Sequence, residues 1–387
     1  MAVNTLTGLV PTIYEALDIV SRELVGFIPA VGQDLNANRA ALNQVIRSPV
    51  TPALTSSNTT PSNVPPDYTG QAIGTVDISI TKSKNVAFGF QGEEVLSLSN
   101  SPIVPPISTT KRDMIAQAVR TLVNEVEVDL AALARQSSRA FGTAGTTPFA
   151  TAADMTDLAQ CLKILQDNGA PMVDLRAVLN TTTSANVRGK QSQLFRVNEA
   201  GTSDLLRSGT IGRLMNFDVG ESAGLSTFTK GTGAATYTTT AAGFAVGTTV
   251  IPLITGSGTV LGGDVVTVAG DPNKYIVTVG IAAPGSITIQ GPGLRQAIPA
   301  AATALTVGNN YTPNCFFHKG AFQLVARAPA LPDEGDMAID RMLIVDPKSG
   351  LPLEFSIYPG YRQVRYEVAL AWGVATIAGR HAAMLLS

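Results

Sequence analysis

Few residues in this sequence are of types that do chemistry, and their surroundings decide what each is for. Only two histidines occur, His318 and His381. Histidine is the commonest general acid or base, yet neither has a Ser or Cys motif beside it. His318 reads as a cap or packed polar group opening a helix, and His381 as an exposed or interface residue in a C-terminal strand next to Arg380. Cys161 and Cys315 sit in apolar contexts (QCLKIL and NCFFH) and read as two free buried thiols, not a disulfide or metal site. Glu93-Glu94 ends a strand and fits a solvated turn better than an acid–base dyad. Asp333-Glu334-Gly335-Asp336 offers carboxylates, but at no calcium-loop spacing, so a polar turn is preferred. Gly262-Gly263-Asp264 lacks the strand-to-helix context of a dinucleotide site. No G-x-S-x-G elbow, P-loop or H-E-x-x-H is present. The expectation is a protein that is not an enzyme, with no cofactor or metal.

Composition narrows the classes further. At 387 residues the chain exceeds one ordinary core, so two or three domains are expected. Charged residues are only 14%, against roughly 25% in typical domains. Such a surface suits a large assembly or a secreted β-rich protein. A net charge of -2 argues against a nucleic-acid reader with a basic stripe. The N-terminal stretch VPTIYEALDIVSRELVGFI is interrupted by Glu15, Asp18, Arg22 and Glu23, which excludes a spanning helix, and it carries no signal-peptide pattern.

The elements follow from periodicity. Ile13, Leu17, Val20 and Leu24 predict an amphipathic helix behind Pro11. Residues 36–46 suggest a second, weaker helix. From Ser48 to Gly70 the Pro/Ser/Thr/Asn content defeats regular structure. Thr75–Ile80 alternates as a strand, with Val86–Phe90 as its return partner through Lys82 and Lys84. Thr110 and Asp113 resemble a capping box, and Ile115, Val119, Leu122, Val126, Leu130 and Leu133 predict one long helix to about Arg139. A helix over 154–166, a strand over Leu175–Leu179 and a helix capped by Asn180 come next. Gly209 and Gly212 punctuate the run into a strand at Phe217-Asp218-Val219. Helical character is expected at Lys319–Val325, and strands at Leu353–Tyr358 and Gln363–Ala369.

Between Ser226 and Tyr311 composition changes abruptly to Gly, Thr, Ala and Val. Short β runs recur there at the spacing of a small antiparallel barrel. With that tract removed, FDVGESAG runs into NCFFHKGAF as an ordinary α/β continuation. The tract therefore reads as an insertion.

The order of these parts, with LLRSGTIGRLMNFDV, FFHKGAFQLVARAPALP and the closing SIYPGYRQVRYEVALAWGVATI, resembles the coat proteins of tailed double-stranded-DNA bacteriophages, of the Hong Kong 97 fold. The likeness is to the branch typified by the short-tailed Salmonella phage coat protein, which carries an inserted barrel. The resemblance implies an α+β fold with residues 1–47 as N-terminal arm, 48–97 as extended loop, 98–142 as peripheral-domain spine helix, 143–225 as axial domain, 226–311 as inserted barrel, 312–339 as axial return and 340–387 as a peripheral β region. It gives Gly209, Gly212, Phe217 and Val219 the role of a structural turn in the axial domain. Inter-subunit contacts would fall on Ile78, Ile80, Lys82, Lys84, Phe88 and Phe90.

By the same resemblance the function would be that of a major capsid protein, forming pentamers and hexamers of an icosahedral shell around double-stranded DNA without sequence-specific binding. It would assemble in the host bacterial cytoplasm and reside in the virion. A separate scaffolding protein and a portal are the expected partners, a decoration protein is an optional one, and no membrane is involved. Some shells of this fold join a loop lysine to an asparagine of a neighbour. Lys82 and Lys84 would be donors here, but no asparagine follows Asn314, so no crosslink is expected. The alternatives are an encapsulin-like compartment of the same fold, or a secreted Thr/Gly-rich surface protein.

Overall fold

The computed structural model describes residues 25–387 apart from 52–53, 55, 57, 62, 64–72, 101–106, 192–207, 234–235 and 283–284. The expected helix at Ile13–Leu24 lies outside the described residues. In chain order come β1 (Gly32–Ala40), β2 (Val45–Val50), β3 (Gly74–Ser79), β4 (Lys82–Gln91), α1 (Gly92–Asn100), α2 (Ile107–Ala132), β5 (Arg139–Phe141), α3 (Thr156–Asp167), β6 (Leu175–Leu179), α4 (Thr181–Lys190), β7 (Arg213–Leu214) and β8 (Phe217–Glu221). Then follow β9 (Thr236–Thr239), β10 (Val250–Thr255), β11 (Thr259–Val260), β12 (Val265–Val268), β13 (Lys274–Val279), β14 (Ile281–Ala282), β15 (Gly285–Ile289) and β16 (Ala304–Val307). The chain closes with β17 (Pro313–His318), β18 (Phe322–Pro329), β19 (Asp340–Val345), β20 (Pro352–Gly360), β21 (Gln363–Thr376) and β22 (Ala382–Leu386).

One sheet has the order β1-β18-β21-β20-β19, with β4 also on β21. Its centre, β21, is fourteen residues long and carries Trp372, which is fully buried. Helix α2 lies over this sheet. Its 26 residues span about 39 Å at 1.5 Å per residue. Ile115, Val119, Leu122, Val126 and Leu130 recur at helical spacing and are all buried. They share one core with Leu353, Phe355, Val368 and Leu370 of the sheet. Each such aliphatic side chain contributes about 1.5–3 kcal/mol of burial, which is why the sheet dictates where the helix lies.

Several expected elements differ. The weaker helix over 36–46 is absent: residues to Ala40 belong to β1, a parallel edge strand on β18, and β2 begins at Val45. Pairing with the sheet overrides the local preference. The ribbon expected from Thr75–Ile80 and Val86–Phe90 is also different. β3 pairs with β2 over six positions, whereas β4 is taken by ten positions of β21. The long helix starts at Ile107, upstream of the supposed capping box, and Asp113 instead pairs with Arg112. It ends at Ala132, passing through a 3-10 turn (Leu133–Gln136) into β5, because Ser138 bonds the Ala382 carbonyl and β5 joins β22. Lys319–Val325 is one 3-10 turn followed by β18, a strand held between β1 and β21.

The second sheet runs β13-β5-β22-β17-β6-β8-β7. The last strand, β22, lies between β17 and β5 in this central sheet. Residues 340–387 are therefore not one β region: β19 to β21 belong to the first sheet and β22 to the second. Helix α3 packs Leu158, Cys161 and Leu165 against Ala383 and Leu385 of β22 and Phe316 of β17. Asn180 caps α4 by accepting from the Thr183 amide at 2.7 Å.

Strands β12-β16-β9-β10-β15-β13 pair antiparallel, and β12 pairs again with β13, so the ring closes into a barrel. Closure removes both sheet edges. Its interior holds Tyr237, Ile251, Val266, Val277, Ile287 and Leu305, all fully buried. The entering and leaving chains meet where Phe228 and Tyr311 exchange backbone hydrogen bonds of 2.7 and 3.2 Å. At the foot, Phe228, Val265, Ile276 and Tyr311 pack on Ala140, Met384 and Leu386 of the central sheet. A fragment of residues 226–311 is expected to fold alone as a monomeric barrel with dispersed amide NMR signals, its exposed foot limiting solubility. A spectrum of a disordered chain would show that the ring depends on the central sheet.

Candidate assembly interface

The residues that organise the molecule's outer faces start from one carboxylate. Glu127 sits four residues after Val123 and three before Leu130, on the buried stripe of α2, and is 2% exposed. A charge there must find donors. It accepts hydrogen bonds from three consecutive backbone amides, Gly26 (2.8 Å), Phe27 (2.8 Å) and Ile28 (3.1 Å). Burial pushes its carboxyl up from the ordinary range, and the bonds from Phe27, Ser222, Gly26 and Ile28 oppose that rise. Phe27 then stacks on Phe317 of β17 with ring centroids 5.9 Å apart. At Gly26 there is no room for a side chain: a Cβ would lie 2.5 Å from the Glu221 carbonyl oxygen. The segment leading into β1 is thus clamped where α2, the first sheet and the central sheet meet.

On its other side α2 faces β4. Alternate residues of a strand are about 6.6 Å apart and helix residues four apart about 6 Å. That match lets Lys82 and Lys84 meet Asp129 and Glu125 in turn. Lys82 reaches Asp129 at 2.7 Å and Lys84 reaches Glu125 at 2.6 Å. The other Asp129 oxygen accepts from the Trp372 indole at 2.8 Å. Further along, Lys111 lies over the rings of Phe90 and Tyr366 at 5.9 and 5.4 Å. A surface groove of about 500 Å³ runs beside these ion pairs, past Gln117, Arg120 and Thr121. A more apolar one of about 430 Å³ continues past Val86, Phe88, Met114 and Ala118.

Within the chain, the residues expected at subunit contacts are placed as follows. Lys82 and Lys84 are on β4 and bound to their own helix, not on a projecting loop. Ile78 and Ile80 are 2% and 0% exposed, packed with Ala40, Val325 and Ala371 of the same chain. Phe90 is also buried, and Phe88 is half-buried, stacked on Tyr366 at 5.5 Å. What projects instead is the β2–β3 ribbon, with Val45 at its base and Leu42 in the preceding turn both exposed. Sequence reasoning missed Glu127, although an acid on the apolar stripe of a helix was the available signal.

The remaining candidates are placed as follows. Gly209 and Gly212 have left-handed backbones (φ 71° and 69°), and Val219 donates its amide to the Gly212 carbonyl at 3.1 Å. Phe217 is fully buried edge-on to Phe316 at 5.3 Å. Cys161 and Cys315 are buried, and burial pushes the Cys315 thiol up to about 12. Glu93 and Glu94, expected in a solvated turn at the end of a strand, lie in the first turn of α1 directly after β4, and Glu94 accepts from the Gln91 amide at 2.9 Å. Asp336 binds Arg341 and Tyr358. His381 lies in a 3-10 turn (Gly379–His381) rather than a strand, and its ring meets that of His318. Among the described residues no three His, Cys, Asp or Glu side chains gather as a metal site, and no helix is long and apolar enough to cross a membrane.

Replacing Glu127 with Gln keeps one acceptor but turns the other oxygen into a donor facing the Ile28 amide. A buried donor left unpaired costs about 1–3 kcal/mol. Glu127→Gln is therefore expected to lower the unfolding free energy of the full chain, read from urea denaturation, by that order, and Glu127→Ala to lower it further. A variant as stable as the parent would contradict the clamp.

No protein-family model matches this chain, and no curated protein does. Solved structures are similar to it. The capsid structure of cyanophage P-SCSP1u aligns over 95% of this chain and 89% of its own, with a TM-score of 0.50 and 12% identity. The mature capsid of bacteriophage PhiM1 aligns over 93% and 86% (TM-score 0.49, 11% identity). A chain of Mycobacterium phage Che8 aligns over 90% and 88% (TM-score 0.44, 14% identity). With its mixed helices and strands and its closed barrel, this chain has the phage capsid fold seen in cyanophage P-SCSP1u.

Proposed function

We propose that this chain is the major capsid protein of a tailed double-stranded-DNA phage or prophage, a shell subunit of the Hong Kong 97 type. The observation that carries the reading is the capsid fold extending over nearly the whole chain. In this assignment α2 is the spine helix, the first sheet is peripheral, the central sheet is axial, and the closed barrel is an inserted domain. The ribbon β2–β3 is the arm that reaches a neighbour. A two-stranded ribbon is marginal in water by itself, so covering it with a second subunit is physically apt. The low charge density fits a surface largely covered by copies of itself, and the net charge of -2 fits DNA enclosed without a dedicated binding groove.

The role is structural, not catalytic. Pentamers and hexamers of this subunit form an icosahedral virion shell, with a scaffolding protein and a portal as assembly partners in the host cytoplasm and a decoration protein as an optional addition. An encapsulin-like compartment is the competing use of such a fold, and the inserted barrel disfavours it. Negative-stain microscopy of the full chain, purified with and without its neighbouring gene products, tests the proposal. Closed shells of uniform diameter containing nuclease-protected DNA are expected when the neighbours are present. Shells filled with a protein cargo would favour the compartment, and small oligomers under both conditions would overturn both readings.

A further inference from the structure

The hairpin of β20 and β21 closes on two residues. Gly360 pairs with Gln363, which leaves Tyr361 and Arg362 as the tip. Tyr361 is 91% exposed, the most of any large apolar side chain among the described residues. One exposed aromatic is ordinary in itself, so the setting of this one decides what it is for. Arg362 has a left-handed backbone, φ 56°, which is uncommon for a residue other than glycine. Its carbonyl accepts the Gly92 amide at 3.2 Å, and Gln363 also pairs with Gln91 at the end of β4. The tip is therefore held against the start of α1 by backbone contacts on both of its sides.

Beside the tip lies a surface cleft of about 750 Å³, lined by Gln91, Glu93, Leu96, Arg362, Gln363 and Tyr361 itself. At 91% exposure the Tyr361 ring stands clear of this cleft and does not fill it. Leu96 on its wall is 62% exposed. The neighbouring charges are used within the chain: Glu94 accepts from the Gln91 amide at 2.9 Å, and Arg365 pairs with Glu367 at 3.2 Å. Arg362 and Glu93 are both exposed, and among the described residues neither pairs with an opposite charge. One surface thus carries a projecting ring, an open cleft with an apolar wall, and one unpaired charge of each sign.

We propose that this surface is a contact between copies of the chain, in which Tyr361 and Arg362 of one copy enter the cleft at Glu93 and Leu96 of the next. The inference rests on the shell reading above and adds to it a contact separate from the β2–β3 ribbon. Charge complementarity selects a second copy as the occupant: Arg362 meets the Glu93 that its own chain leaves unpaired, while the Tyr361 ring covers Leu96. Tyrosine and arginine are the side chains that most often anchor such contacts. A tip already fixed by its backbone loses little freedom on docking. Knob and socket lie side by side on one surface, so repeating the contact turns each copy about an axis and closes a ring, not a face-to-face pair. One ring and one guanidinium bury too little area to hold two free chains together. The contact therefore acts where shell assembly already brings copies together.

Charge reversal in the full chain, expressed with its neighbouring gene products, tests this. Arg362→Glu and Glu93→Arg are each expected to lower the yield of closed shells by about tenfold, because each sets like charges against one another across the contact. The double variant Arg362→Glu/Glu93→Arg is expected to recover the parental yield, since the pair is restored with its signs exchanged. Tyr361→Ala is expected to lower the yield in the same direction and is not rescued by the reversals. Urea denaturation of the free chain is expected to be unchanged in all four, since these side chains are exposed and unpaired there, which separates lost assembly from lost folding. Single reversals that assemble at the parental yield, or a double variant no better than either single one, would overturn the contact; the second result would point to a different protein docking at the tip. Parental chains that form no shell would overturn the shell reading and this contact with it.

Discussion

A carboxylate inside an apolar core is tolerated only if it is fully hydrogen-bonded, and Glu127 meets that condition by holding three successive backbone amides. Helix α2 can therefore dock on the first sheet only when the chain at Gly26–Ile28 is also in place. That segment runs straight into β1, the edge strand on β18. Phe27 ties the same segment to Phe317 on β17 of the central sheet. One side chain thus couples the long helix to both sheets. The three tight amide contacts make the coupling directional, as an apolar contact at that position would not be.

From this junction outward the structure is built by charge pairing at matched repeats. Lys82 and Lys84 face Asp129 and Glu125 because strand and helix repeats coincide over one turn. Trp372 adds an indole hydrogen bond to the same Asp129. With β4 so fixed, the preceding β3 and β2 leave the body as a ribbon. The barrel is independent of this logic, because its ring closes on itself and its ends meet at Phe228 and Tyr311. The chain thus has a buried spine helix, a two-stranded ribbon and a closed barrel.

Much of this was legible in the residues. The stripe from Ile115 to Leu130, the Asn180 cap, the strand at Phe217 and the inserted β tract each follow from local spacing. The errors share one cause. Residues 36–46 and 319–325 carry helical or ambiguous local signals, but long-range pairing places 36–40 on β18, 45–46 on β3 and 322–325 between β1 and β21. The partner of β3 was misassigned because adjacent strands usually pair, whereas β21 offers β4 a longer ladder than β3 does. Alternation at Ile78 and Ile80 shows that one face is buried, but not whether its own chain or a neighbour covers it; the structure shows their own chain covering both. The histidine pair joins residues 63 positions apart, 318 and 381, which no local pattern reveals.

The account turns on the amides of Gly26, Phe27 and Ile28. Their hydrogen exchange in the full-length protein measures the clamp directly, because exchange requires breaking the bonds to Glu127. Protection close to that of the β21 core is predicted for all three, lost together in Glu127→Ala. Exchange at the rate of an exposed loop in the parent protein would contradict a structure organised around this carboxylate.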